Sequence, residues 1–287
     1  QDTVWVCGRI CCEAAEGRIN KSSVVLEGSR RDSAGRRVHL DLQDVPSYSL
    51  FPGQIVLVEG VNSSGRRMVA KRIIEGIAKP PLTSPATKLL EYHHSTVYQG
   101  GSALNIVTAA GPFTTADNLD YQPLQDLLIK VLKDKPDVLV LVGPFVDISQ
   151  PLLSTGDVRL SNASMFQSEE DYGVSPTHIV LVPSLQDAHH EFVFPQPPFG
   201  DRDRLQTEYF EEPLGRVHLM PNPCMFRVNE VLVGVCSNDV LFTMSSDEVS
   251  QAIEGNRLAR LAGHLLQQQS FSPQFPVPQS LLSQVQC

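Results

Sequence analysis

Four residues in the second half of the chain have side chains of the kinds that hold divalent cations. Asp147 follows one apolar segment, and Asp187, His189 and His190 follow the next. Two-metal phosphoesterases use such groups to hold two ions ~3.5–4 Å apart, which clamp a phosphate and activate a water molecule. A binuclear site needs roughly twice as many ligands as these four residues supply.

The sequence leaves three interpretations of these residues open. They form a residual weak metal site or acid–base pair, they are loop-stabilising acids beside a hydrogen-bonded histidine, or they contact another protein of a complex, since such loops are readily used for binding. Ser184 with Asp187 and His189 resembles a hydrolytic triad in residue type, but no Gly-x-Ser-x-Gly elbow surrounds Ser184. The spacing therefore predicts no catalytic residue and no metal ligand. No phosphate-binding or dinucleotide glycine motif is present, so we expect no cofactor.

The segments that must position these residues change between strand and helix along the chain. Segment 119–133 has leucines and valines at helical spacing. Segment 137–143 is apolar on both faces, which is typical of a sheet covered by helices. Further strands are predicted at 104–110, 178–183, 217–220 and 231–236. This order favours a layered α/β lobe.

Two other stretches of this lobe carry weaker signals. Ser245 and Glu248 have the spacing of a capping box, which predicts a helical stretch from there to Leu266. Segment 148–176 is rich in Ser, Pro, Gly and acidic residues, with a faint helix predicted near 165–170. Its length is sufficient for a crossover between parallel strands, which needs a dozen or more residues.

The first eighty residues alternate between apolar and polar side chains, as half-buried strands do. Strands are predicted at 4–12, 38–42, 54–59 and 66–75, and segment 28–35 is polar and typical of a turn. About five strands in this length predict a small closed barrel, for which an OB-fold is the commonest choice.

Prolines mark the boundary between the two lobes. Pro80, Pro81 and Pro85 block both helix and sheet hydrogen bonding, so we expect a linker at 79–102. The predicted domains are accordingly an OB-fold at 1–78 and an α/β domain at 103–287. Within the linker, His93-His94 is interpreted as an exposed loop pair rather than a metal site.

The net charge of −9 is unevenly distributed along the chain. Residues 1–80 carry 12 Lys and Arg against 9 Asp and Glu, a balance of +3, and the remainder carries 11 against 23, a balance of −12. An acidic body repels nucleic acid, so only the first eighty residues could hold a weak nucleic-acid face. The Gly-Arg-Arg turns at 35–37 and 65–67 could touch phosphates there, although paired arginines on hairpins are more often solvated strand ends.

The remaining composition points to a soluble protein of a reducing compartment. No apolar run approaches the ~18 residues of a membrane span, and the first residues lack the layout of a secretory signal. The chain starts without Met, which suggests a fragment of something longer. The six cysteines form no Cys-x-x-Cys pair and are expected to be small core residues.

Several longer stretches resemble the family of DNA polymerase alpha B subunits, the accessory subunits of the polymerase alpha–primase complex. The matching segments are 6–12, 48–54, 111–115, 143–147, 182–191 and 194–199, and the resemblance spans nearly the whole chain. It implies an OB-fold barrel followed by a calcineurin-like phosphoesterase α/β sandwich without activity. It also implies binding to the C-terminal region of the polymerase catalytic subunit, contact with primase through the complex, at most weak or indirect DNA contact, and a nuclear location.

The same resemblance implies that the phosphoesterase site is degenerate. Active relatives place a bridging carboxylate where this chain has Pro144, and a Gly-Asn-His-Asp or -Glu motif where only Asp187 remains. Asp147 and His189 are then vestiges of the ancestral site. The family continues with further strands after the point where this chain ends, so the second domain is expected to be C-terminally incomplete. The alternatives are a metal-dependent phosphodiesterase and a single-stranded-DNA-binding OB protein.

Overall fold

The computed structural model describes residues 3–14, 18–80, 84–96, 103–156, 176–200 and 215–278. Its strands are β1 (Val4–Cys12), β2 (Val24–Glu27), β3 (Arg37–Asp41), β4 (Tyr48–Leu50), β5 (Ile55–Val61), β6 (Arg67–Ile74), β7 (Ile106–Ala110), β8 (Val138–Val142), β9 (His178–Val182), β10 (Val217–Leu219), β11 (Cys224–Val228), β12 (Val231–Val235) and β13 (Val249–Gln251). Its helices are α1 (Arg30–Ser33), α2 (Ala86–His94), α3 (Gln122–Asp134), α4 (Pro151–Thr155), α5 (Val240–Asp247) and α6 (Arg257–Gln268).

The chain divides into two compact units, and the division differs from the one predicted. Residues up to 81 form the first unit together with residues 239–280, and residues 82–238 form the core of the second. The predicted domain 103–287 is therefore not a single unit. The reason is that β13 pairs antiparallel with β4, so that the chain returns to the first unit after residue 238.

The first unit is built on a closed five-stranded barrel in the order β1-β2-β3-β6-β5. The alternation of side chains predicted four of these strands, but it missed β2 and the short α1, which occupies part of the segment predicted as a turn. The inward-facing apolar side chains form one buried core: Ile10, Val24, Leu26, Leu40, Val56, Val58, Met68 and Ala70. Cys11 is buried as expected, but Cys7, on the same strand, is exposed.

The predicted capping box is wrong. Ser245 lies inside α5, whose N-cap is Asp239, with its side chain accepting a hydrogen bond from the Phe242 N–H. The last helix begins only at Arg257, where Asn256 caps it. Between the two helices the chain is extended as β13 because its backbone completes a pair with β4.

A buried polar network holds the returning segment to the barrel. Glu248 accepts hydrogen bonds from Arg260 Nε at 2.7 Å, Arg257 Nε at 3.1 Å and the Ser49 hydroxyl at 2.6 Å. Since the Ser49 hydroxyl donates to Glu248, its oxygen must accept from the Nε2–H of His264, 2.8 Å away. Ser49 N–H also donates to Glu75 at 2.6 Å. Ser49, on β4, thus joins its own strand to Glu75, after β6, and to the returning segment that carries Glu248 and His264.

The network should make the stability of the first unit fall with acidity. Burial alone would raise the pKa of Glu248, but the hydrogen bonds from Arg260, Ser49 and Arg257 outweigh it and lower the pKa to about 2. A carboxyl with a depressed pKa stabilises the fold above its ordinary pKa of 4.5, and that contribution is lost as the pH falls from 4.5 towards about 2. We expect the difference in unfolding free energy between the native chain and Glu248→Gln to shrink over this window, by roughly 1 kcal/mol per pH unit. Urea titrations at several pH values measure it, and a constant difference would contradict the assignment.

Two neighbours of Glu248 also have shifted pKa values, and both groups are present in the native chain and in Glu248→Gln, which are compared here. Burial lowers the pKa of His264 from 6.5, so its contribution is lost as the pH falls below 6.5. Burial raises the pKa of Glu75 above 4.5, so its contribution is complete below 4.5 and is lost as the pH rises through the higher folded value.

The second unit is organised around a parallel sheet in the order β10-β9-β8-β7. Helix α3 packs on one face, through Val131 against Leu139 and Leu141. Among the described residues, the other face of the sheet, with Val138, Val140 and Val180, packs against the β11–β12 hairpin. That hairpin includes β11, which the sequence did not predict.

The expected linker contains a helix. Residues 86–94 form α2, so His93 and His94 are helical rather than part of a loop. The prolines end at Pro85, which is the N-cap, and the chain after it is rich in good helix formers. The faint helix predicted at 165–170 lies outside the described residues. Within the described residues, no helix combines the length and apolar character that a membrane span requires.

Candidate functional site

The predicted site residues lie where the parallel strands β7, β8 and β9 end. The loop after each strand continues the sheet by one hydrogen bond: Gly111 N–H donates to the Val142 carbonyl and Gly143 N–H to the Val182 carbonyl, both at 2.8 Å. Gly111 approaches the carbonyl of Pro144 so closely that a Cβ there would collide with it. The backbone of Pro144 thus fills the space beside the first loop.

Asp187 is completely buried and accepts hydrogen bonds from three backbone amides. One carboxylate oxygen accepts the N–H groups of Phe145 and Val146, the latter at 3.2 Å, and the other accepts the Ser184 N–H at 2.8 Å. Three of the about four lone-pair sites of the carboxylate are therefore occupied by the protein itself. Asp187 ties the loop after β8 to the loop after β9.

The backbones of these two loops also pair directly. Asp147 and Asp187 form an isolated antiparallel bridge, flanked by Ile148 N–H to Gln186 at 2.9 Å and Ala188 N–H to Val146 at 2.8 Å. The Asp147 carboxylate turns back on its own loop and accepts the Ser149 N–H and hydroxyl, both at 2.8 Å. The fold brings the backbones of the two acids together, but their carboxylates serve different local hydrogen bonds.

The two histidines lie against an aromatic cluster. His189 stacks on Phe199 with ring centroids 5.5 Å apart and planes 10° apart, and His190 donates from Nε2 to the Pro197 carbonyl at 2.8 Å. Phe145 contacts Phe199 at 5.4 Å, edge to face. These contacts orient the rings for packing. Among the described residues, no group of three or more His, Cys, Asp or Glu side chains has a geometry that could hold a metal ion.

Sequence reasoning missed the buried amides that complete the site. The Gln196 side chain donates to the Ser184 carbonyl at 2.9 Å and the Glu191 carbonyl at 2.7 Å, and it accepts from Asn222 at 3.2 Å. Gln196 and Asn222 also bridge through their backbones. Gln196 lies between Pro195 and Pro197. This position between two prolines is a sequence feature that could have identified Gln196 as a buried polar residue fixed by its neighbours.

Two family models cover most of the chain between them. The model for the OB domain of the DNA polymerase alpha B subunit matches residues 1–76, and the model for the DNA polymerase alpha/epsilon B subunit matches residues 106–285. The chain belongs to the DNA polymerase alpha/epsilon B-subunit family. The first match confirms the predicted OB-fold, in agreement with the closed barrel.

Curated members of this family include close relatives of the chain. The DNA polymerase alpha B subunit of Bos taurus is 36% identical over 283 residues, which cover 96% of this chain and 44% of the relative. The Schizosaccharomyces pombe protein of the same name is 36% identical over 286 residues, 96% of this chain and 48% of the relative. The Drosophila melanogaster protein is 33% identical over 258 residues, 88% and 38% respectively. The chain thus spans about half the length of these relatives.

Proposed function

We propose that this chain acts as a non-catalytic accessory subunit of the DNA polymerase alpha–primase complex in the nucleus. It binds the C-terminal region of the catalytic subunit, supports the initiation of DNA replication, and meets primase only through the complex. The observation that carries the proposal is membership of the B-subunit family across both units.

The non-catalytic part of the proposal is supported by the geometry of the strand ends. Asp187 is committed to three backbone amides, and the neighbouring Pro144 offers only a carbonyl. We interpret Pro144, Asp147, Asp187 and His189 as vestiges of a calcineurin-like phosphoesterase site, in which Asp187 now holds two loops together. On this basis the purified chain should bind no manganese pair tightly and hydrolyse no phosphodiester above a manganese-only blank. Turnover that grows with protein concentration and disappears in Asp187→Asn would overturn it.

The same loops carry a surface suited to contact with another protein of the complex. Ile148, after β8, and Val193, after β9, are exposed apolar side chains at 41% and 54% of their full accessibility. Exposed apolar groups beside a rigid, hydrogen-bonded scaffold are what protein interfaces use. We place the contact with the catalytic subunit's C-terminal region on these strand-end loops.

Charged substitutions at this surface should weaken assembly. We expect Ile148→Asp combined with Val193→Asp to reduce capture of the catalytic subunit's C-terminal region by at least about tenfold, since a buried unpaired charge costs several kcal/mol. The matched control is Ile129→Asp, because Ile129 is 62% exposed on α3 of the same unit. Equal capture by all variants would mean that the contact with the catalytic subunit lies elsewhere on the chain. The family assignment would not be affected.

A further inference from the structure

Two arginine pairs that are thirty residues apart in the sequence meet at one end of the barrel. Strands β3 and β6 pair in parallel, with His39 opposite Arg67, so both strands begin at the same end. β3 begins at Arg37 and β6 at Arg67, and Arg36 and Arg66 directly precede them. Neighbouring strands lie about 4.8 Å apart, so the two arginine pairs lie at the same end of the barrel. This convergence depends on the parallel pairing and could not be read from the sequence.

Helix α1 brings a third pair to the same end. Arg30 and Arg31 lie in α1, on the connection between β2 and β3, which is closed by the Gly28 N–H donating to the Arg36 carbonyl at 3.0 Å and by Glu27 pairing with Arg37. We call the six residues the arginine end: Arg30, Arg31, Arg36, Arg37, Arg66 and Arg67. All six are exposed.

Four of these arginines are available to a ligand. Arg37 pairs with Glu27 and Arg67 with Asp41. Arg30, Arg31, Arg36 and Arg66 form no ion pair within the part of the chain that the structure describes. Segments 27–41 and 62–67 together hold six arginines and three acids, Glu27, Asp32 and Asp41, a balance of +3 in a chain whose net charge is −9. The arginine end therefore carries a positive charge although the chain as a whole is negatively charged.

We propose that the arginine end binds the sugar–phosphate backbone of a single nucleic-acid strand. Arginine guanidinium groups match phosphate oxygens in geometry and charge. Four arginines without an ion pair among the described residues, at one end of the barrel, fit a ligand with regularly repeated negative charges. The acidic remainder of the chain repels nucleic acid, so we expect the nucleic-acid strand to contact the arginine end alone and not to be enclosed by the protein. This site is separate from the strand-end loops of the second unit and does not depend on the scaffold role.

Salt dependence of binding by the full 287-residue chain tests the proposal. With four phosphate contacts, the logarithm of the association constant for labelled oligothymidylate should fall with the logarithm of salt concentration with a slope of about −3, from roughly −0.7 per contact. Arg36→Ala combined with Arg66→Ala should reduce the slope by about 1.4 and weaken binding roughly tenfold at about 50 mM salt. Both side chains are exposed, so thermal unfolding should be unchanged. Oligouridylate distinguishes DNA from RNA as the strand bound.

The control removes the same charge from the far part of the same strand. Lys71 and Arg72 lie on β6, about 16 and 20 Å along the chain from Arg66 at ~3.3 Å per residue, and are exposed. Lys71→Ala with Arg72→Ala should leave the salt slope nearly unchanged. Equal losses in both double variants, no binding at about 50 mM salt, or equally tight binding of polyglutamate would each overturn the proposal; the last would mean that the arginine end takes an acidic protein segment.

Discussion

Replacing Glu248 with alanine should lower the free energy of unfolding of the first unit by about 3 kcal/mol. The Glu248 side chain is 1% exposed and is the shared acceptor of Arg260, Arg257 and Ser49. Removing one partner of a buried ion pair leaves the other charge uncompensated, at a cost of about 3–5 kcal/mol. We expect the lower end of this range because Arg257 is half exposed and can be solvated by water.

Urea unfolding followed by tryptophan fluorescence measures this change. Trp5, the only tryptophan, lies on β1 of the barrel, so its emission reports on the first unit. The matched control is Glu254→Ala, since Glu254 is exposed near the same segment, and its effect should stay within about 0.5 kcal/mol. A Glu248→Ala effect as small as that of the control would mean that residues 239–280 add little to barrel stability.

The sequence predicts the barrel well because its signal is local. Alternation along Val4–Cys12 indicates which side chains enter the core, and the buried Ile10 agrees with it. The return of residues 239–280 has no such signal. Val249 and Ile253 fit a helical period as easily as a strand, and only the pairing of β13 with β4, some two hundred residues earlier, decides between them. Long-range pairing of this kind overrides local propensity.

The candidate site shows the same limit at the level of single side chains. The sequence places Asp147 after one apolar strand and Asp187 after the next, and parallel strands end at one edge of a sheet. Their hydrogen-bond partners could not be predicted, since Phe145, Val146 and Ser184 donate through backbone N–H groups that carry no residue-type signal. The difference between an acid that binds metal and an acid that holds loops lies in those amides.

Replacing Asp187 with alanine should therefore be far more costly than replacing Asp147. The first change leaves three backbone N–H groups without their charged acceptor in a fully buried place. With about 1.5–3 kcal/mol for each hydrogen bond to a charged group, we expect a loss of at least about 4 kcal/mol. Asp147→Ala removes only an exposed local contact with Ser149 and should cost less than about 1 kcal/mol.

Asp187→Asn tests whether the Asp187 side chain is needed as a charged hydrogen-bond acceptor or only as a group of this volume. Asparagine has the same shape, but its NH₂ group must face a backbone N–H, so the variant should still lose at least about 2 kcal/mol. Circular dichroism during thermal unfolding gives the total effect, and amide hydrogen exchange at Phe145, Val146 and Ser184 locates it. If Asp187→Asn were as stable as the native chain while exchange at these amides stayed slow, the carboxylate would not be what joins the two loops, and the case for Asp187 as a structural vestige would fail.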